Sequence, residues 1–410
     1  MSTAGPNLVS ESESEPIDYF QVGVADRAMA LLDETSAVGF EAVVELRGPL
    51  DEGALTTAWR RVSSIHPIVT CVRTDKTWRP VAEPPIGEGV TQPDHHSPPV
   101  ALQITRTGET TRLTMMCSHV AFDGVASRIL LGDLRDEYEA TLSGIPPRIA
   151  DWSPRTLETI AGETDWRSST AAVVRSASAW WRSPISTHVD PGPGSSAPAD
   201  DHAVLELGPV LGRLTPARRK YGWSVDAVLV GILEKTWSRV FGRPTGESTW
   251  LMARDLRPAL GMARGIGNLS AAAGTSMTGR TADLATVIDR AQADLVGQDG
   301  DLVTSAASVR MGAIAEISFG QMLRRSKKLR AQRSLSNVGQ VGDSLDRWGP
   351  ASLDRIWFVG PLAHPPYNSF IATGHGDSTL VSVRTSPAWL TADHAGAMET
   401  AALSLSLDAV

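Results

Sequence analysis

The sequence from Leu113 to Tyr138 constrains the fold more than any other stretch, because its hydrophobic period changes within it. Up to His119 every second residue suits one buried face, which is typical of a strand. Beyond that point the apolar residues recur at the spacing of one helix face, as Val125, Ile129, Leu130, Leu134 and Tyr138. The pattern predicts a strand, a turn at Asp123-Gly124 and a helix, with His119 at the end of the strand.

His119 is the candidate catalytic base. A fold can hold an imidazole rigidly at the end of a strand while one ring nitrogen faces a cleft. A histidine can be neutral and still basic near neutral pH, so it can take a proton from an alcohol or amine that attacks an acyl group. We therefore interpret His119 as the general base of an acyl transfer. The alternative is a hydrogen-bonded structural histidine.

The two cysteines, Cys71 and Cys117, are too few for a disulfide framework, which predicts a reducing, cytoplasmic location. Cys117 shares a strand face with His119, but residues two apart on a strand have Cα atoms ~6.5–7 Å apart. A buried, unreactive thiol is therefore favoured over a Cys–His nucleophilic pair.

The length of 410 residues predicts two domains. A net charge of −8 argues against a protein that coats nucleic acid, and no apolar run approaches the ~20 residues needed to span a membrane. Residues 1–16 are polar and acidic, which predicts a flexible tail rather than a signal peptide. We expect neither a nucleic-acid nor a membrane partner.

Two halves with similar patterns follow the tail, at residues 17–164 and 165–410. The first is predicted to have strands around 40–47, 68–73, 78–81, 100–106 and 111–119, with a helix at 52–65 that Asp51 can cap. The second is predicted to have strands around 203–207, 248–253, 355–359, 369–373 and 379–384. Its predicted helices lie around 171–181, 210–221, 225–241, 281–296, 303–330 and 392–403.

Motifs of other enzyme classes are missing. The sequence has neither G-x-x-x-x-G-K-[ST] nor G-x-S-x-G, which removes the simple NTPase and α/β-hydrolase interpretations. Gly265-Ile266-Gly267 lacks the third glycine of a dinucleotide site. The His95-His96 pair has no second ligand cluster at matching spacing, so no metal site is predicted.

Several segments together resemble a known superfamily. Residues 45–51 and His66-Pro67 resemble the opening of nonribosomal peptide synthetase condensation domains, and residues 118–124 resemble their H-H-x-x-x-D-G motif. The latter is also similar to the H-x-x-x-D-G motif of chloramphenicol acetyltransferase, plant BAHD acyltransferases and mycobacterial polyketide-associated acyltransferases. Three further segments follow in the order and spacing of such proteins, at 254–258, 267–268 and 336–339.

The pattern of strands and helices predicts two α/β halves of similar size, and the resemblance implies that they are α+β two-layer sandwiches. Two chloramphenicol-acetyltransferase-like halves would form a V-shaped pseudo-dimer, with His119 midway along a central tunnel. The phosphopantetheine arm of coenzyme A or of an acyl carrier protein would enter from one side, and a small-molecule acceptor from the other. The thioester is thus a co-substrate, with no bound cofactor and no metal. Such a site needs no second subunit, so a monomer is expected.

The resemblance also suggests roles for further residues. Asp123 would pair with Arg257, or else with Arg254, and so fix the turn that carries His119. Gly124 would allow the helix to approach closely. Asn337 or Ser336 would stabilise the oxyanion, with a backbone N–H as the substitute, and Ser118 and Ser336 would contact substrate. The plainer alternatives are that Asp123 is a helix cap and Asn337 a turn residue.

Ser118 departs from the motif, because it stands where the first histidine is expected. Its side chain should point away from the His119 face, since side chains alternate along a strand. This argues against an ordinary peptide-bond-forming module, and the missing D-F-G-W-G motif argues against a BAHD enzyme. The leading hypothesis is a stand-alone acyltransferase of secondary metabolism that forms an ester or an amide. The alternatives are cyclisation of a tethered intermediate and a non-catalytic recruiting module.

Overall fold

The chain is a mixed α/β structure, as predicted. The computed structural model describes residues 20–22, 26, 29–30, 33, 39–74, 77–94, 96–146, 202–242, 248–260, 263–277, 283–307, 332–361, 368–385, 390 and 392–405. Strands in this part of the chain are β1 (Phe20–Gln21), β2 (Gly39–Arg47), β3 (Cys71–Arg73), β4 (Thr77–Pro80), β5 (Ile86–Gly87), β6 (Val100–Thr107), β7 (Thr110–Ser118), β8 (His202–Glu206), β9 (Ser248–Asp255), β10 (Ser270–Met277), β11 (Gln332–Gln340), β12 (Arg347–Trp348), β13 (Ala351–Val359), β14 (Asn368–His375) and β15 (Ser378–Thr385).

The helices mostly follow the predicted ranges. They are α1 (Glu52–Ile65), α2 (Gly124–Leu142), α3 (Gly208–Tyr221), α4 (Val225–Val240), α5 (Arg257–Leu260), α6 (Leu284–Ala307) and α7 (Ala392–Leu403). Asp51 caps α1 as predicted, with its Oδ1 accepting the Ala54 N–H at 2.9 Å. α6 differs from the prediction, because it continues through the expected break at 297–302 as one helix. Its buried face, which includes Ile288 and Leu295, packs in the hydrophobic core of the second six-stranded sheet, described below.

The first six-stranded sheet has the order β12-β13-β2-β7-β6-β5. Alternate residues of β7 enter a core that α1 and α2 complete. Chain order placed β13 with the second half, but it pairs antiparallel with β2, with Trp357 opposite Val43. The reason is its two apolar faces: Ile356 and Phe358 belong to the first core, whereas Trp357 lies in a small apolar cluster that includes Leu380 of the other sheet. β13 therefore links the two sheets.

The second six-stranded sheet has the order β10-β9-β11-β14-β15-β8. β11 runs parallel to both neighbours, and α4, α6 and α7 pack their apolar residues against this sheet. The β11–β14 ladder shifts register between Asn337 and Gly339. Gly339 has a φ of +84°, a left-handed conformation that favours glycine. Such irregular points re-aim side chains, and this one lies beside residues of the candidate site.

Some predictions fall on residues that the structure does not describe. These are the tail at 1–16, the boundary at 164–165, the helix at 171–181 and the helical segment at 308–330. Within the described ranges, no helix combines the length and the apolar character that a membrane crossing requires.

Candidate active site

His119 lies on a short turn between β7 and α2. The Ala121 and Phe122 N–H groups both donate to the Ser118 carbonyl, at 3.1 and 3.2 Å. The Phe122 side chain is fully buried in the first core. The turn is thus anchored by local hydrogen bonds and by packing, which limits the positions that His119 can adopt.

The two ring nitrogens of His119 have different surroundings. The ring is half-buried and lies edge-on to Phe40, with centroids 5.3 Å apart. Nδ1 is buried and has no hydrogen-bond partner among the described residues. Nε2 is likewise unbonded there but is not among the buried atoms, so it is the nitrogen that a substrate can reach. Packing against Phe40, rather than a hydrogen bond, orients the ring.

Asn268 holds the backbone beneath His119. Its Nδ2 donates to the His119 and Val120 carbonyls, at 3.0 and 2.9 Å, and to Asp26 Oδ1 at 3.1 Å. The resemblance includes segment 267–268 but predicts no specific role for Asn268. A buried amide that bridges two carbonyls from a segment 148 positions earlier is a tertiary relationship that local patterns do not reveal.

Asp123 and Arg257 form a buried, forked ion pair. Arg257 Nη1 donates to Oδ2 of Asp123 at 3.0 Å, and Nη2 donates to Oδ1 at 2.9 Å. Asp123 also accepts the Ala126 N–H at 2.8 Å and the Leu269 N–H at 2.8 Å. Asp123 is therefore both the cap of α2 and the partner of Arg257, so the two interpretations of this residue are compatible.

Arg257 has no donor left for a substrate. Besides the pair with Asp123, its guanidinium donates to the Gly265 and Gly267 carbonyls and to Asp255. These contacts engage all five of its N–H donors. Burial alone lowers the pKa of Arg257, but the carboxylates of Asp123 and Asp255 outweigh burial and raise it. This side chain therefore ties loop 265–269 to the turn that carries His119.

Arg254, the reserve partner for Asp123, instead contacts Asp226. Arg254 Nη1 donates to Asp226 Oδ2 at 2.7 Å, and Asn337 Nδ2 donates to Oδ1 of the same carboxylate at 2.7 Å. Asp226 lies in the first turn of α4 and was not among the sequence candidates. Its signal in the sequence was an acidic residue just after Ser224, at the start of an apolar helix.

Asn337 is engaged at both ends of its amide. Besides the bond to Asp226, its Oδ1 accepts the Gly339 N–H at 3.0 Å. Bonding to the backbone two residues on is typical of asparagine in turns, and here it supports the irregular point in β11. An amide nitrogen carries two hydrogens, and Asp226 is the one acceptor that Asn337 Nδ2 has among the described residues, so a second N–H remains to donate.

Gly124 brings the start of α2 against β11. A Cβ atom at this position would lie 3.3 Å from Val338 Cγ2 and 4.0 Å from Ser336 Oγ. Further along α2, Arg128 Nη1 donates to the Gln340 carbonyl at 2.9 Å. The structure thus places His119, Asp123, Gly124, Arg257 and Ser336 around one junction between α2, β11 and loop 265–269.

Ser118 faces a different space from His119. It lines a cavity of about 340 Å³ together with Arg73 and Trp78, and His119 is not part of that lining. Among the described residues, which exclude His95, no group of three or more metal-ligating side chains is suited to hold a metal ion. The chemistry that this arrangement supports is proton transfer at His119 Nε2.

Comparisons with known proteins show the fold. No family model and no curated sequence matches the chain. Polyketide synthase associated protein 5 from Mycobacterium tuberculosis matches at a TM-score of 0.67 and 16% identity, over 93% of this chain and 96% of its own. The trichothecene 15-O-acetyltransferase from Fusarium sporotrichioides matches at a TM-score of 0.67 and 11% identity, over 93% of this chain and 94% of its own.

A third similar structure is the starter condensation domain of rhizomide synthetase, in a complex with C8-CoA and Leu-SNAC. It matches at a TM-score of 0.66 and 12% identity, over 96% of each chain. All three structures belong to the condensation-domain and chloramphenicol-acetyltransferase-like superfamily. The predicted resemblance is therefore confirmed at the level of fold.

Proposed function

We propose, from this fold and from the setting of His119, that the chain is a condensation-type acyltransferase of secondary metabolism. It transfers an acyl group from a coenzyme A or carrier-protein thioester to a hydroxyl or amine, and His119 is the general base. The observation that carries the proposal is an accessible Nε2 on a histidine whose backbone is fixed by Asn268 and by the Asp123–Arg257 pair. Similar structures include an acetyltransferase and a complex with an acyl-CoA, in agreement with it.

The reaction transfers one proton and exchanges one bond. The acceptor oxygen or nitrogen attacks the thioester carbon, its proton passes to His119 Nε2, and the carbonyl electron pair moves to oxygen. Collapse of this tetrahedral oxyanion breaks the C–S bond, and the imidazolium returns the proton to the departing thiolate. A well-placed base of this kind contributes a factor of roughly 10²–10⁴ in rate.

The proposed mechanism requires one particular tautomer of His119, and packing must hold the ring in place for it. To accept a proton at Nε2, the neutral ring must carry its hydrogen on Nδ1. That nitrogen is buried and meets no acceptor within the described ranges. The ring must therefore be held by Phe40 and by its anchored backbone.

An oxyanion donor is the second requirement, and loss of one typically costs ~2.7–4 kcal/mol of transition-state stabilisation. The remaining N–H of Asn337 is our candidate, with a backbone N–H as the substitute. Ser336, close to Gly124, is proposed to contact substrate. We assign Asp123, Gly124, Arg257 and Arg254 to support rather than to chemistry.

The overall arrangement is also part of the proposal. Two halves, at 17–164 and 165–410, would form a V-shaped monomer with His119 midway along a tunnel between donor and acceptor entrances. Two six-stranded sheets, each with its own main core, support this arrangement, although β12 and β13 of the second half complete the sheet of the first. The close approach of Gly124 to Val338 also supports it. We propose a cytoplasmic enzyme without a bound cofactor, which uses the phosphopantetheine thioester as co-substrate.

The test is product analysis with the purified chain. A panel of acyl-CoA and acyl-carrier-protein thioesters is mixed with hydroxyl and amine acceptors, and mass spectrometry identifies the products. We expect an ester or amide with wild type and with His96→Ala, a control on an exposed loop histidine, but not with folded His119→Ala. A ring-closed product without acceptor would instead indicate cyclisation. Partner binding without thioester consumption would indicate a recruiting module.

A further inference from the structure

The cavity beside Ser118 is not lined by His119, and no ligand has been assigned to it above. Its volume of about 340 Å³ lies at the lower end of the ~300–1,000 Å³ typical of small-molecule sites. Ser118 and Val120 form part of its wall and flank His119 in the chain. Since consecutive Cα atoms are ~3.8 Å apart, a ligand in this cavity lies close to the turn that carries the base.

Arg73 is the main candidate ligand-binding side chain in this cavity. It is the last residue of β3, its side chain is half-buried, and it forms no hydrogen bond or ion pair with any described residue. A guanidinium drawn partly out of water needs an anionic partner to offset its lost hydration. Its planar fork matches the two oxygens of a carboxylate.

The other polar groups of the wall narrow the choice of ligand. Asp33 is half-buried, whereas Asp94 is exposed at the rim, where its Oδ1 accepts the His96 N–H at 2.9 Å. Two carboxylates disfavour a polyanion such as a phosphate ester. Asp33 and the Ser118 hydroxyl can instead accept hydrogen bonds from an ammonium or hydroxyl group. The nearly buried indole of Trp78 offers an apolar surface.

We propose that this cavity binds the free carboxylate of a small amino or hydroxy acid through Arg73. Resting on the function proposed above, we further assign this acid as the acyl acceptor. Its carboxylate stays unreacted on Arg73 inside the cavity, while its amine or hydroxyl extends out of the cavity past Ser118 to His119 Nε2. There it loses its proton and forms the new bond to the acyl carbon as the C–S bond breaks. An acceptor whose carboxylate is esterified or joined to a carrier as a thioester lacks that negative charge and therefore binds more weakly.

The binding test is calorimetric titration of the purified full chain with four matched probes: L-leucine, L-leucine methyl ester, 4-methylpentanoate and 3-methylbutylamine. We expect the two acids to bind, with the ester and the amine at least ~10-fold weaker, since each lacks the charge-assisted fork. Arg73→Gln should weaken leucine binding to the same extent, and Arg73→Lys less. Arg79→Gln, which removes an exposed arginine of β4 outside the cavity wall, should leave it unchanged.

Three results would overturn the carboxylate site: no binding of either acid, equal binding of leucine and its ester, or unchanged binding by Arg73→Gln. His119→Ala separates this proposal from the function, because it should keep leucine binding and lose turnover. The enzyme could bind leucine through Arg73 and consume thioesters, yet form no acylated leucine. That result would overturn only the assignment of the acid as acyl acceptor. It would leave acyl transfer to another acceptor standing.

Discussion

Arg257 donates two hydrogen bonds to Asp123 across 134 positions of sequence, and both side chains are almost fully buried. The carboxylate caps the helix that follows His119, while the guanidinium holds the loop that contains Asn268. One ion pair therefore determines how two distant segments meet at the candidate base.

Asp123→Asn should be strongly destabilising. The amide is nearly isosteric but leaves Arg257 buried without its main counter-charge, and breaking a buried pair typically costs ~3–5 kcal/mol. Chemical denaturation measures the loss. Glu45→Gln is the matched control, since Glu45 Oε1 accepts two hydrogen bonds from a half-exposed Arg112, and it should cost at most ~1 kcal/mol. Equal small losses in both variants would contradict a structural role for the buried pair.

Asn268→Ala should reduce turnover more than it reduces stability. Loss of the amide releases the His119 and Val120 carbonyls and lets the imidazole shift. A displacement of ~1 Å in a catalytic group can cost about 10²-fold in rate. Steady-state kinetics should show a lower kcat with a nearly unchanged KM. An unaltered kcat in the folded variant would show that Asn268 does not position the base.

Gly124→Leu should disrupt the junction between α2 and β11. A Cβ alone would already lie 3.3 Å from Val338 Cγ2, so a larger side chain forces the helix start away from β11. We expect a loss of ~1–3 kcal/mol in unfolding free energy, together with reduced activity. Gly132→Ala, in the same helix with nothing within 4 Å, should stabilise the chain by ~0.5–1 kcal/mol. Destabilisation by both would refute the packing explanation.

Neither described thiol should behave as a nucleophile. Burial raises the pKa of Cys71 to about 11, and burial aided by the Glu41 carboxylate raises the pKa of Cys117. Iodoacetamide at pH 8 should label neither in the native chain and both in guanidinium. Because folding raises the pKa of both thiols, their contribution to the free energy of unfolding is fully present below the ordinary thiol pKa of ~8.5. That contribution is lost as the pH rises towards 11. Rapid labelling of Cys117 in the native chain would instead support a Cys–His nucleophilic pair.

The elements that the sequence predicts well are those specified by local patterns. The change of period after His119 and the capping aspartate Asp51 both depend on neighbours within a few residues, and both match the structure. Asp123 could be read as a helix cap for the same reason. Its pairing with Arg257 was expected from the superfamily resemblance, since no local pattern specifies it.

The misassigned elements depend on contacts distant in sequence. β13 joins the first sheet because both its faces are apolar and can be buried, and chain order does not reveal this. Asp226 bonds to Asn337, 111 positions away, and Asn268 bonds to the Val120 carbonyl, 148 positions away. α6 continues through the exposed Gly297 as one helix, although its described buried residues end at Leu295. A single glycine costs a helix only about 1 kcal/mol, so it does not by itself end one.

Rescue of His119→Gly by imidazole is the most direct test of the general base. Thiol release is followed with a thioester and acceptor that wild type converts, and circular dichroism checks the fold. We expect turnover to fall by at least about 10²-fold and to recover in part, in proportion to added imidazole. Wild-type turnover by folded His119→Gly without imidazole would contradict the assignment of His119 as the base.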